Sequence, residues 1–447
     1  MATSCYWSPN QAAVAQVETY TFTAPSSVGN TYKATINGKT VTYTSVSGDT
    51  AALVATGLFN LLNITTGIAA EFTEITWANP SDGVMTATAS TPGVPFANVT
   101  IGGVAGQGLV MSTGNGLANG IATAHTTANA SPSDAGDAQN WLRVNLSNTP
   151  PSSTRSLPQS TDDVVIANTS TPLLWNLDHL SAVLFQTYKR YQSFTGTIGL
   201  PENNPSGYTE WRATYFKFLG PQGSVPSGGL AMTLGEGSGS GPSRERYDLQ
   251  SSKYTLTVIA AGSAADDFGV RILGDHTANS FTLLGGVSLG IAMAPGEKAN
   301  ITSSTVDGGA TVGIGPNVTW TAASTLTMLG GSAILNAAPA TLTMSNGAVA
   351  SFGTDGLTWT TITAQGGCSL VWLAGGTITT LTMTTGCVLD KSRDLRGLTI
   401  TNSTIDGDTC AFLDPNNAIT WTNATSVKQQ VAQGPFVFTG TRTVKVT

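Results

Sequence analysis

"GGTITTLTMTTGC", residues 375–387, carries no charge and alternates Thr with Ile, Leu and Met. Its surroundings are alike. Between residues 307 and 390 the only charged side chain is Asp355, and no Lys or Arg lies between residues 298 and 391. Short stretches of the same kind recur: Leu326-Thr327-Met328, Leu342-Thr343-Met344, Ile362-Thr363, Leu381-Thr382-Met383, Leu398-Thr399-Ile400 and Ile419-Thr420-Trp421. Their leading residues are 16, 20, 19, 17 and 21 positions apart, with Gly, Asn or Asp between them.

Apolar–polar alternation is a strand pattern, and a period near 20 with irregular turns is that of a β-solenoid, one coil per repeat. Each coil lies about 4.8 Å above the last and bonds its backbone to both neighbours. Alternate side chains enter the core, and the others stand in straight rows outside. A row of like charges at that spacing would repel, whereas Thr favours a strand and can hydrogen-bond along the row. Neutrality is therefore what stacking demands. Cys368 follows Ile362 by six residues and Cys387 follows Leu381 by six, so both are expected at equivalent inward places in successive coils. An inward stack is favoured over a disulfide or metal site, because a reducing place of synthesis keeps thiols free.

The bulk numbers agree. The chain has 447 residues, more than one compact core holds, so two or three domains are expected. Only 10% of residues are charged, while 40% are hydrophobic, which excludes a disordered chain. Scarce Glu, Lys and Arg argue against a helical protein, so the fold class is mainly β. Net charge is −7, and the 19 basic residues are scattered, which argues against nucleic acid as a partner. The N-terminus, MATSCYWSPNQ, has no basic or apolar region of a signal peptide, so synthesis in a cytoplasm without export is expected. The most apolar stretch, residues 283–295, is too short and Gly-rich to span a bilayer, so no membrane insertion is expected.

Residues 1–111 read as a small α+β domain. "TYKATINGKTVTYTS" is two strands around Asn37-Gly38, a hairpin signal. Asp49 or Thr50 is expected to cap a helix whose face is Val54, Leu58, Leu61 and Leu62. Further strands are expected at "AEFTEITWAN", "GVMTATAS" and "NVTIGG". Residues 112–137 are small, polar and aperiodic, and read as a linker. Residues 138–249 read as a β-rich middle domain holding Trp141, Trp175, Tyr188, Tyr191, Tyr208, Trp211, Tyr215 and Phe216. Most of these are expected in its core, a minority against a partner. Residues 172–191 fit a short helix or strands equally. The solenoid is expected over residues 250–425, and residues 426–447 as C-terminal strands serving as cap or subunit contact.

Chemistry is sparse. His125, His179 and His276 are isolated, and Cys5, Cys368, Cys387 and Cys410 form no CxxC pair, so no metal site and no cofactor is expected. No GxSxG elbow or phosphate loop is present. Carboxylates matter because some β-helices cleave polysaccharides with Asp or Glu pairs. Asp406 and Asp408 lie two apart, and Asp390 and Asp394 sit in the charged insertion "LDKSRDLR". Solvated turns and a charged rim are the favoured reading of all four, and no catalytic residue is assigned. The alternative is an acid pair of a polysaccharide-depolymerising enzyme. A bacterial surface adhesin is a second alternative, but no export or sorting signal accompanies it.

The stretch "TYKATINGKTVTYTSVSGDTAALVATGLFNLLN" is similar in pattern to a small domain of tailed-bacteriophage virion proteins, and "STDDVVIANTSTPLLWNLDHLS…YQSFTGTIGLPE" resembles segments preceding their β-helices. A Thr/Gly-rich solenoid is similar to the shafts of tailspikes and fibres. The resemblance implies a non-enzymatic structural component of a phage particle, exposed on the virion as tail spike, fibre or capsid decoration. It implies host attachment or particle stabilisation, a homotrimer, contacts with other capsid or tail proteins and with a host surface glycan, and assembly in the host cytoplasm.

Overall fold

The computed structural model describes the chain apart from residues 1–2, 65–66, 97–108, 116–120, 146, 149–150, 222–228, 264–267, 407–408, 428–436 and 439–447. The fold is mainly β, and its larger part is a parallel β-solenoid of about 11 turns over residues 163–423. One side is a long sheet whose coils run in parallel from Asp163–Ile166 to Ile419–Val427. A second side is a ten-stranded sheet from Phe216–Lys217 to Ala411–Leu413. The third side holds the pair Ala299–Ile301 and Val318–Trp320, then the leading halves of the long strands Leu357–Ala364, Gly376–Met383 and Leu398–Ile405. Between the first two sides the chain turns on left-handed pairs such as Asn346 and Gly347, at φ 53° and 72°. Asn and Gly tolerate that region best.

Inward columns supply the core. Leu256, Phe281, Ser304, Leu326, Leu342, Ile362, Leu381 and Ser403 stack in register, and beside them Val258, Leu283, Val306, Met328, Met344, Ala364, Met383 and Ile405. All are buried. Between these columns, facing out, stand Thr233, Thr257, Thr282, Thr305, Thr327, Thr343, Thr363, Thr382 and Thr404, an unbroken row of threonines in successive coils. The interval between them varies from 16 to 25 residues, the difference being taken up in the turns. Cys368, Cys387 and Cys410 stack as well, each one position before the aligned Ser369, Val388 and Ala411, and all three are buried free thiols.

Two sequence expectations need correction. Leu398 does not continue the column of Leu381. Gly376, Leu398 and Ile419 align on the third side, while Ser403 follows Leu381. Long strands carry two apolar–Thr groups each, and the sequence period slipped from one group to the other. The solenoid also begins near residue 163 rather than 250, so residues 163–249 are its first coils. Their spacing hides the repeat: Val165 to Lys189 is 24 residues, but Lys189 to the aligned Thr233 is 44. Residues 172–191 contain one strand, Thr187–Tyr191, and no helix.

The base is closed by the chain's own beginning. Ser4–Trp7 pairs in parallel with Asp163–Ile166 and antiparallel with Trp141–Asn145, which in turn pairs with Ser152–Arg155. Trp7 meets Trp141 edge-on at 5.0 Å. This antiparallel lid satisfies backbone groups that the first coil would leave bare. The α+β unit is thus an insertion between Ser4–Trp7 and Trp141–Asn145 rather than an independent N-terminal block.

Within that unit the hairpin forms as the sequence predicts, with Asn37 and Gly38 at positive φ and Ile36 opposite Lys39. Helix Ala51–Leu62 is capped by Thr50, whose side chain accepts from Leu53 N. Asp49 instead accepts from Tyr43 Oη and Val46 N, both at 2.8 Å. The helix buries Val54, Ala55, Leu58 and Leu62, whereas Leu61 is exposed. Residues 112–137 are no plain linker: Val110–Thr113 pairs with Thr31–Ile36, and Ala122–Thr127 with Val17–Thr21. The strand expected at "NVTIGG" and most of residues 426–447 lie outside the described residues. In the latter, Val437–Phe438 pairs in parallel with Ile419–Val427.

Candidate functional site

Of the carboxylates singled out in the sequence, the described ones, Asp390, Asp394 and Asp406, each have a turn or an ion pair of their own. Asp390 closes a turn: its Oδ1 accepts from Ser392 N at 2.9 Å and Ser392 Oγ at 2.6 Å. Asp394 is held by Lys391 Nζ and by Arg396 Nε, the latter at 2.7 Å. Burial raises its pKa, but the hydrogen bonds from Lys391 and Arg396 outweigh this and hold the carboxyl below its usual value. Asp355 is held low by the Gly375 N–H and then by Arg396. A general acid needs the opposite shift. Asp406 caps the turn that leads to Cys410, accepting through its backbone carbonyl from Cys410 N at 3.1 Å. Asp408 lies outside the described residues. Lys391 is wholly buried and donates to Ala374 O at 2.6 Å, so the charged insertion is tied onto the coil below.

His276 and His179 sit in separate turns. His276 Nδ1 accepts from Ala278 N at 3.1 Å within a turn, and His179 N donates to Asn176 O at 3.0 Å in another. His125 falls on strand Ala122–Thr127, its side chain outside the described residues. Among the described residues no group of three or more His, Cys, Asp and Glu is arranged to hold a metal ion. Burial raises the thiol pKa of Cys387 and of Cys410, which suits inert core thiols.

Polar side chains concentrate instead around residues 202–215, which leave the solenoid as a long loop. The aromatics there divide between two cores. Trp141, Tyr188 and Phe216 belong to the solenoid core, while Tyr208 and Trp211 enter the core of the α+β unit. Arg212 is the hub. It donates to Glu210, to Pro95 O at 2.9 Å, to Tyr208 Oη at 2.9 Å and to Glu74 at 3.3 Å. Its guanidinium lies 4.9 Å from the Trp175 ring and 5.0 Å from that of Trp211. Planar guanidinium groups suit such stacked, multidentate positions. Glu74 and Pro95 belong to the α+β unit, so this cluster fixes that unit to the shaft.

The same loop covers the outer face of the ten-stranded sheet. Arg246 and Arg271 are in-register neighbours, and both reach Glu202, at 3.4 and 2.7 Å. Tyr215 Oη donates to Glu297 at 2.5 Å. Beyond Glu297 an open groove of about 570 Å³ is lined by Asp248, Gln250, Leu273, Asp275, Glu297 and Lys298. Asp248 is ion-paired with Lys217 at 3.7 Å, and Glu297 also accepts from Ala294 N at 2.8 Å. These carboxylates serve turns and pairs. Among the described residues, the arrangement neutralises charge, ties the loop to the shaft and reverses the chain.

No family model, no curated protein and no solved structure matches this chain.

Proposed function

We propose that this chain is a non-enzymatic structural component of a tailed-phage particle, with the solenoid as an exposed shaft and the α+β unit at its base as the docking element. The observation that carries the reading is the outer threonine row from Thr233 to Thr404, within a shaft that has no Lys or Arg between residues 298 and 391. A long face of stacked, backbone-paired strands with few charges offers proteases little and suits a particle's exterior. The base carries the α+β unit, which has its own hydrophobic core and is fixed to the shaft through Arg212, and this appended unit is the proposed docking element. Host attachment or particle stabilisation is the role proposed, with assembly in the host cytoplasm and a surface glycan as the shaft's target.

The test replaces residues 10–130 by a short linker, which keeps Ser4–Trp7 in the solenoid base. The shaft should fold and be missing from purified particles, while the full chain is present. A full chain absent from particles, or a shaft incorporated as well as the full chain, would overturn the proposal.

A further inference from the structure

We propose that the outer face of the long sheet binds the surface of ice. A second row of hydroxyls stands beside the threonine row that ends at Thr404. Thr325, Thr341, Thr361 and Thr380 are in register in successive coils, each two residues before a threonine of the first row. Thr-x-Thr therefore repeats on four rungs, with no shift of register between them. Lower in the second row Thr255 aligns with Ser280, and at its upper end Asn402 follows Thr380. Neither row holds a charged or aromatic side chain from Thr255 to Thr404.

The hydroxyls are both held in place and left to solvent. Each of these threonines is half-buried by its neighbours, and a β-branched side chain has few χ1 rotamers to choose from. Ladders of like side chains are also what keeps a many-stranded sheet flat. Neighbours within a row lie about 4.8 Å apart, too far for one hydroxyl to bond the next. On the ten-stranded sheet, by contrast, Thr311 Oγ1 and Ser332 Oγ meet at 2.8 Å. Among the described residues, no hydrogen bond ties down a hydroxyl of the four Thr-x-Thr pairs.

Spacing favours ice as the occupant. Two hydrogen bonds of about 2.75 Å that meet at a tetrahedral water set their outer oxygens about 4.5 Å apart. The rung spacing is close to this, so one water can bridge each pair of neighbours along a row. Residues two apart along a strand are separated by about 6.6 Å. The perpendicular repeat of a tetrahedral water network, built from the same bonds, is about 7.3 Å. The face thus presents oxygens on nearly the rectangular grid of a prism face of ice, with the threonine methyl groups between them. From Thr255 to Thr404 the grid runs for about eight rungs, about 34 Å. A periodic solid is what a periodic face fits, whereas a single small ligand or glycan chain is held in a concave, aromatic-lined site. The inference goes beyond the virion reading and does not rest on it.

The experiment grows ice slowly in a dilute solution of the full chain and measures the protein that enters the solid, with crystal shape and the gap between melting and freezing points recorded beside it. The wild-type chain should enter the ice, facet the crystals and open a gap. T361Y sets a ring in the middle of the grid and should enter at least about tenfold less, because the ring holds the lattice off its neighbours. S351Y, the same kind of change on the ten-stranded sheet, should behave as the wild type, and both variants should unfold at the wild-type temperature. Should T361Y misfold, T327Y takes its place in the other row. A wild-type chain excluded from ice, a T361Y or T327Y chain that enters as the wild type does, an S351Y chain that loses as much, or retention by crystalline cellulose in place of ice overturns the inference.

Discussion

Arg190 and Glu245 are the least expected residues of the core. They face each other across the lower solenoid, from the long and the ten-stranded sheets, and both are wholly buried. Arg190 Nε donates to Glu245 at 2.7 Å, and Tyr247 Oη donates to the same carboxylate at 2.7 Å. Tyr188 Oη in turn donates to Tyr247 Oη at 3.2 Å. Breaking such a pair from one side strands a charge, whereas replacing both partners by apolar groups does not. E245Q and R190M should each cost about 3–5 kcal/mol in denaturant unfolding, and R190M/E245L clearly less than their sum. A second prediction concerns pH. The folded pKa of Asp394 lies below its usual 3.8, so its stabilisation is present above 3.8 and is lost as pH falls through the folded value. D394N should lower the melting temperature at neutral pH, and the gap to wild type should close in strong acid. None of these partnerships was legible in the sequence, because Arg190 and Glu245 are 55 residues apart and meet only through the stacking of coils.

Stacked strands are the element that the sequence announces most clearly. Leu-Thr-Met alternation gave the inward and outward sides, and Cys368 with Cys387 fell at equivalent places. The outer row is neutral because each position must tolerate its copies about 4.8 Å above and below. T343K/T363K/T382K places three ammonium groups on successive rungs of that row. Its melting temperature should fall by several degrees in low salt and recover much of the loss at 1 M salt, where screening acts within about 3 Å. The same three charges on separated rungs should cost less. What the elements concealed was register: strands of eight residues hold two apolar–Thr groups, so Leu398 mimics the repeat of Leu381 one column away. Strands Val110–Thr113 and Ala122–Thr127 were hidden too, since their small residues look like linker and gain strand character only from their partners.

For the whole molecule, the α+β unit is spliced into the base of the shaft rather than strung before it. The joint depends on Arg212, which bridges the loop to Glu74 and Pro95. R212A should leave both cores folded but speed hydrogen exchange at residues 203–212, with a global stability loss of about 1–3 kcal/mol from stranded Glu210 and Glu74. Unchanged exchange there would show that the two cores hold together without it. The sequence could not place the start of the winding, because the 44-residue excursion between Lys189 and Thr233 breaks the period and early coils use aromatic rather than Thr-flanked cores. Nor could it foresee that Ser4–Trp7 closes the base by pairing with a strand 159 residues further on.

The continuous winding can be seen or refuted in a density map of the full chain. One ribbon should spiral from about residue 163 to 423 in about 11 coils, with Thr233 through Thr404 in a single outer file. Density in which residues 163–249 form a separate globule, or in which those threonines fall on different sides of the shaft, would contradict it.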